Sequence, residues 1–241
     1  MKKLFYTALI FVLITVTFTS CLTTKIDSNK ESRSYKTINF TEETDFLRTE
    51  ITYPSFEAYP DLSKLIKNTI FSNWENFKSY SDKEWNDLNA INSKNGRSSL
   101  PPFEYLVQTE VYNSSSKYIS ILINTYIFNG GAHGNTNLIS YNYNIDTSKY
   151  DKITTVTGMD YNQLSDIVRK KLYDKLITKN PNLTTPTQES DLREMINTGA
   201  FPQAGNFQIF TVGKQSVTVY FEPYSVAPYS YGIQKVDLKI E

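Results

Sequence analysis

The chain offers one histidine for chemistry, His133, in the stretch Asn129-Gly130-Gly131-Ala132-His133-Gly134. An imidazole can act as acid, base or metal ligand near neutral pH. Each role needs partners. A single histidine cannot build a clustered histidine metal site, and Asp146 is the only acid close to it in sequence. No Gly-x-Ser-x-Gly nucleophile elbow occurs, nor a Gly-Lys-Ser/Thr phosphate loop. Paired carboxylates for glycoside hydrolysis need no local motif, and nothing marks one pair among the 25 acids. The residues therefore assemble no catalytic constellation. The expectation is a protein that is not an enzyme and holds no metal or cofactor.

Three glycines surround His133, and glycine reaches backbone angles closed to other residues. Long β-type runs flank them, Tyr118 to Phe128 before and Leu138 to Asp146 after. A short Gly/Asn-rich stretch between two such runs reads as a hairpin-like connection. Two readings fit: a ligand-facing loop held by two strands, or a plain turn. On either, Gly130 and Gly131 are expected in conformations that a side chain would obstruct, with His133 at the tip.

The flanking elements follow from periodicity. Leu47 to Tyr53 alternates as a strand. Leu62, Leu65, Ile66, Ile70, Trp74 and Phe77 recur near 3.6 residues, which predicts a helix over 61–78 capped by Asp61. Ser79 to Leu100 is polar and reads as a helix fray and a loop. Strands follow at Tyr105–Tyr112 and Tyr118–Phe128. The second is apolar on both parities, as a strand covered on both faces would be. Ile139, Tyr141, Tyr143 and Ile145 form one apolar face, with Ser140, Asn142 and Asn144 opposite, a half-buried strand. Asp160 and Gln163 open a capping box for a helix over 161–179. A short helix around Leu192 and Ile196 stops near Gly199. Strands at 207–212, 216–222 and 234–240 complete an α+β fold with a largely antiparallel sheet packed with two main helices.

Lysines plus arginines equal the acids at 25 each, so no global charge argues for nucleic acid. Met1-Lys-Lys precedes a short apolar run, Leu4 to Phe18, of the secretory-signal kind. Phe18-Thr-Ser-Cys21 resembles the lipobox of bacterial lipoproteins, although Phe18 stands where leucine is usual. That resemblance implies lipidation of Cys21, the only cysteine, and leaves no thiol to pair with His133. Ordinary signal cleavage with a free thiol is the other reading. Residues 1–20 are thus read as a lipoprotein signal peptide and 21–34 as a flexible tether.

Two segments together carry a family resemblance: Asn129-Gly-Gly-Ala-His-Gly134, and Val219-Tyr-Phe-Glu-Pro-Tyr-Ser-Val-Ala-Pro-Tyr-Ser-Tyr-Gly232. They resemble the RsiV/PdaC type of extracytoplasmic domain. Such domains occur in lysozyme-sensing anti-sigma factors, beside the catalytic domain of some peptidoglycan deacetylases, and in bacterial lipoproteins. The resemblance spans roughly residues 45 to 241. It implies a PdaC-type part over 35–136 and an RsiV-like part over 137–241, with no deacetylase domain and, with an export signal at residue 1, no cytoplasmic sigma-binding segment. The expected function is an envelope lipoprotein, facing periplasm or exterior, that binds a cell-wall glycan such as peptidoglycan or a lysozyme-like enzyme. The candidate surface is Asn129, Gly130, Gly131, His133, Tyr224 and Tyr229. A glycan hydrolase using unmarked carboxylates and a purely structural envelope protein are the alternatives.

Overall fold

The computed structural model describes residues 34–112, 117–181, 183 and 185–240. The signal segment, Cys21 and the tether up to residue 33 lie outside the described residues. Among the described residues, nine strands form two sheets. The first has six strands in sequence order: β1 Tyr35–Glu43, β2 Leu47–Phe56, β3 Phe103–Tyr112, β4 Tyr118–Phe128, β5 Asn135–Asn144 and β6 Lys149–Tyr150. The second has three: β7 Phe210–Val212, β8 Ser216–Phe221 and β9 Gln234–Lys239. The fold is α+β and both sheets are chiefly antiparallel, but β2 and β3 run parallel from Leu47↔Phe103 to Ile51↔Val107. A parallel pair needs a crossover, and helix α1, Pro60–Lys94, supplies it.

One face of the first sheet is a conventional core. Ile51, Phe103, Tyr105, Ile119, Ile121 and Ile123 meet Leu62, Ile66, Ile70, Trp74 and Phe77 of α1. The Trp74 indole N–H reaches Thr49 Oγ1 at 3.0 Å, so the one polar atom it carries is satisfied inside. β1 is a strand that its two inward apolar residues, Ile38 and Phe40, are too few to reveal. β2 runs past the expected end at Tyr53, through Pro54 to Phe56. It does so opposite β1 alone, past the last residue paired with β3, where a missing N–H costs no ladder bond.

Two expectations for α1 are corrected. Tyr59, not Asp61, is the N-cap and gives no side-chain cap; Pro60 opens the helix. Ser63 Oγ takes over the junction, accepting from Phe56 N–H at 2.7 Å and donating to Phe56 O. The helix also continues through residues 79–94 instead of fraying. Side-chain pairs one turn apart hold its polar half: Lys83 with Asp87, and Asn86 with Asp82. The returning segment clasps it, with Trp85 Nε1 donating to Pro101 O at 3.0 Å and Leu100 N–H to Asn89 Oδ1 at 2.7 Å.

The opposite face of the first sheet is where the second sheet docks. Among the described residues β7 pairs only with β8, so its other edge has no strand partner there. Polar side chains of β4 and β5 meet that edge. Ser120 Oγ accepts from Val212 N–H at 2.9 Å, Ser140 Oγ from Phe210 N–H at 3.0 Å, and Asn142 Nδ2 donates to Phe210 O at 2.9 Å. A strand edge thus abuts a sheet face, and a row of side chains replaces the missing strand. The expectation that Ser140, Asn142 and Asn144 face solvent is therefore corrected. Asn142 and Asn144 are buried, while Tyr141 and Tyr143 are only half-buried beside α1. The tail begins with a 3-10 turn over Ala204–Phe207 and becomes strand only at Phe210.

Beyond β7 lies a second core. Leu164, Val168 and Leu172 of helix α3, Tyr161–Tyr173, and Leu192 and Ile196 of helix α4, Pro186–Gly199, pack on Val217, Val219, Val236 and Leu238. The Asp160–Gln163 capping box forms in both directions at 2.9 Å. α3 runs on into a wider π-turn over Asp174–Thr178. A five-residue helix, α2 Ile153–Thr157, precedes α3. Among the described residues no helix is long and apolar enough to cross a membrane.

Candidate functional site

β4 and β5 pair from Tyr118↔Asn144 to Ile127↔Asn135. They deliver the Asn129–Gly134 connection at one end of the first sheet. Gly130 turns the chain at φ +84°, and a Cβ there would lie 3.1 Å from the Phe103 ring. Gly131 has no such restriction, since a Cβ would meet only His133 O at 3.7 Å. The second constrained residue is Gly134. It is buried against Tyr126, and a Cβ would fall 2.3 Å from that ring. The expectation for Gly131 is thus corrected: Gly130, at positive φ, and Gly134, where a Cβ would push the Tyr126 ring aside, are the two crowded positions.

Gly134 anchors the site through its carbonyl. That oxygen lies 2.9 Å from His133 Nδ1 and accepts the Tyr229 hydroxyl at 2.8 Å. A carbonyl only accepts, which assigns the proton to Nδ1 and leaves Nε2 as an acceptor in the neutral ring. The His133 ring stacks on Tyr229 with centroids 3.8 Å apart and planes 20° apart. Tyr224 follows, its ring 5.6 Å from that of Tyr229. His133 is therefore a docked residue of an aromatic row and not a free-standing tip.

The other two rings come from the segment between β8 and β9. Glu222 accepts the Leu138 N–H, which ties this segment to the open edge of β5. Ser225 N–H donates to Glu222 O at 3.0 Å and Tyr224 N–H to Ala227 O at 3.1 Å. The resulting tight turn holds Tyr224 at φ +70°. A bulky non-glycine residue there is an outlier, and such strain persists only where surroundings enforce it. α4 supplies part of the enforcement. A Cβ on its last residue, Gly199, would sit 1.9 Å from Ser225 O, so the helix end and the turn are in direct backbone contact. Tyr224 is 57% exposed. Tyr229 opens a 3-10 turn whose far end is fixed by Asn180 Nδ2 donating to the Tyr231 hydroxyl at 3.0 Å.

Of the six candidate residues, His133, Tyr224 and Tyr229 meet in one aromatic row, with His133 and Tyr224 exposed and Tyr229 half-buried between them. Asn129 and Gly131 are exposed on the same connection, and Gly130 turns inward beneath them. Sequence reasoning missed Gly134, Tyr126, Gly199 and Glu222. Their roles arise from close approaches between distant segments, which leave no local spacing. Chemically the row offers flat apolar faces, phenol hydroxyls and one imidazole acceptor. Among the described residues His133 has no carboxylate or nucleophile as hydrogen-bond partner; a carbonyl holds it. Among the described residues, no three His, Cys, Asp or Glu side chains gather as a metal site.

Comparison with known proteins places these parts. Residues 40–136 match the family model described as deacetylase PdaC, and residues 156–241 match DUF3298, described as a protein of unknown function. The peptidoglycan-N-acetylmuramic acid deacetylase PdaC of Bacillus subtilis is 24% identical over 136 residues, 56% of this chain but 27% of that protein. The chain thus spans about a quarter of that relative's length. A DUF3298-family crystal structure from Bacteroides fragilis superposes with TM-score 0.60, covering 85% of this chain and 89% of the other at 16% identity. One from Pseudomonas aeruginosa gives 0.55, with 91% and 90% covered, also at 16% identity. At that identity they speak to fold alone. Residues 40–136, which hold β2 to β4 and the His133 connection, thus form a PdaC-type part, and residues 156–241, which hold α3 to β9, a DUF3298 part.

Proposed function

We propose that this protein is a non-enzymatic cell-envelope lipoprotein, held to a membrane through Cys21, whose His133–Tyr229–Tyr224 row binds cell-wall glycan. The observation that carries the reading is the row itself: three rings presented together at the surface, one on a strained backbone. Rigid aromatic side chains give contact area at low entropic cost. Pyranose rings carry apolar C–H faces that lie on aromatic rings, while their hydroxyls suit phenol and imidazole partners. The activity for which the Bacillus subtilis relative is named concerns peptidoglycan, which makes that polymer the first ligand to try. The RsiV-like resemblance of the tail makes a lysozyme-like enzyme the second.

The test is co-sedimentation of the purified protein with insoluble peptidoglycan. Wild type is expected in the pellet, Tyr224→Ala in the supernatant, and no soluble muropeptide in either. Release of fragments would replace the binding reading with a hydrolytic one. Retention of lysozyme, with no pelleting on peptidoglycan, would move the partner from glycan to enzyme. In cells, Cys21→Ala should leave the membrane fraction or persist as an unprocessed precursor; anchoring as wild type would refute the lipid tether.

A further inference from the structure

A second surface lies along residues 67–75 of α1 and owes nothing to the His133 row. There a cleft of about 420 Å³ opens between α1 and strands β1 and β2. Lys67, Asn68, Phe71, Ser72 and Glu75 line it along one helical stripe, and Ile38 to Phe40 and Tyr53 line the sheet side. Three features of the cleft are unusual for a mere surface groove.

The first is Tyr53. It is only 7% exposed, yet its hydroxyl has no hydrogen-bond partner among the described residues. Nor is it sealed away, since the sealed, unpartnered side-chain atoms among the described residues are Thr109 Oγ1 and Gln234 Oε1. Tyr53 lines the cleft, which leaves this open hydroxyl available to a ligand there. Its ring packs edge-on to Phe71, centroids 6.0 Å apart, which gives the cleft an apolar floor.

The second is charge. Lys67 and Glu75 stand at opposite ends of the stripe, exposed, and neither forms an ion pair among the described residues. Eight residues of helix separate them, about 12 Å at 1.5 Å per residue. The third is β1, the edge strand of its sheet. Asn39 points its side chain the other way, where Oδ1 accepts from Thr52 Oγ1 at 3.0 Å. What it offers the cleft is its main chain. Successive residues of a strand aim their peptide groups to alternate edges, so the stretch Ile38 to Phe40 presents N–H and C=O groups outward.

We infer that this cleft binds a short extended peptide with free termini and one bulky apolar side chain. Its backbone would lie along β1 in the manner of strand addition. Its side chain would sit on Phe71 and Tyr53, with the Tyr53 hydroxyl on a peptide carbonyl. Its carboxylate would face Lys67 and its ammonium Glu75. A span of about 12 Å holds three to four extended residues at about 3.3–3.6 Å each. An amide side chain, Asn68, and a hydroxyl, Ser72, stand between the charged ends to meet peptide groups.

The probe is the tetrapeptide Gly-Phe-Gly-Gly, titrated into the full-length protein by calorimetry. Saturable binding is expected. Acetylating the amine or amidating the carboxylate should each weaken it by about two- to fivefold, the range for one exposed ion pair. Tyr53→Phe should weaken it about two- to tenfold, one hydrogen bond, with Tm unchanged. Lys67→Gln should abolish the effect of amidation, and Tyr224→Ala should leave the titration as it is. No saturable binding, equal binding by Tyr53→Phe and wild type, or binding of a chitin tetrasaccharide in place of the peptide would each overturn the assignment. None of these results touches the peptidoglycan pelleting, which reports on the other site.

Discussion

Replacing Asn142 tests the docking of the two sheets more sharply than any apolar truncation. Asn142 is 3% exposed. Its Nδ2 donates to Phe210 O at 2.9 Å, and its Oδ1 accepts from Ser120 Oγ, whose oxygen in turn accepts from Val212 N–H. Asn142→Ala leaves the Phe210 carbonyl buried without a partner and the Ser120 hydroxyl without an acceptor. Each buried orphan costs about 1–3 kcal/mol. Ser120 keeps part of its network, so the sum is about 2–4 kcal/mol. For a chain of this size that corresponds to a Tm lower by about 4–16 °C. Asn142→Asp should be at least as damaging despite its near-identical shape, because an acceptor then faces the Phe210 carbonyl. Asn137→Ala, five pairs nearer the loop and exposed, should change stability by less than about 0.5 kcal/mol. The assay is thermal and urea unfolding of the three variants beside wild type. Equal curves for Asn142→Ala and Asn137→Ala would refute the edge-to-face seam.

Other outcomes follow from the same structure. Gly134→Ala should lower Tm and displace the Tyr126 ring, whereas Gly131→Ala should do neither; a melting pair that reversed this order would overturn the loop account. Leu172→Ala, fully buried on α3, should cost about 2–5 kcal/mol and exposed Lys175→Ala less than about 0.5 kcal/mol, read from urea unfolding. Burial pushes the Tyr105 phenol up to about 12, and burial likewise pushes up those of Tyr112 and Tyr118. In the unfolded chain these groups ionise near 10, so between pH 10 and 12 the unfolded state binds fewer protons and stability must fall as pH rises. Tyr105→Phe should flatten that alkaline fall; an unchanged pH profile would contradict the buried-phenol origin.

The sequence made some elements plain because one physical cause dominated them. β4 is apolar on both parities and is covered on both faces. α3 begins at a capping box that needs only residues 160 and 163. The polar parity of β5 misled because alternation reports polarity, not solvent. Asn142 and Ser140 are polar in order to hydrogen-bond a strand edge some 70 residues later, and no local pattern carries that. The rear half of α1 misled for the opposite reason. Its surface is polar, but pairs one turn apart and the clasp of Trp85 and Asn89 keep it helical. At the site, glycine density found the right loop but could not rank its members. Gly134 is decided by Tyr126 across the hairpin, and Tyr224 by the turn that Gly199 touches.

The proposal that the aromatic row binds the wall stands or falls on separating binding from folding. Tyr224→Gly does so most cleanly. It removes the outermost ring, and relief of left-handed strain, about 1–2 kcal/mol, offsets the extra chain entropy of glycine, about 0.5–1 kcal/mol. Tm should therefore hold or rise slightly. His133→Ala removes an exposed ring stack of about 0.5–1.5 kcal/mol, a Tm change within about 6 °C. Peptidoglycan affinity and thermal unfolding, recorded on one preparation of each, give the decisive comparison. The row as a binding surface requires both variants to lose at least about tenfold in affinity while staying folded. Wild-type affinity in Tyr224→Gly, or unchanged affinity with a lowered Tm in His133→Ala, would show that the rings serve the fold and not a ligand.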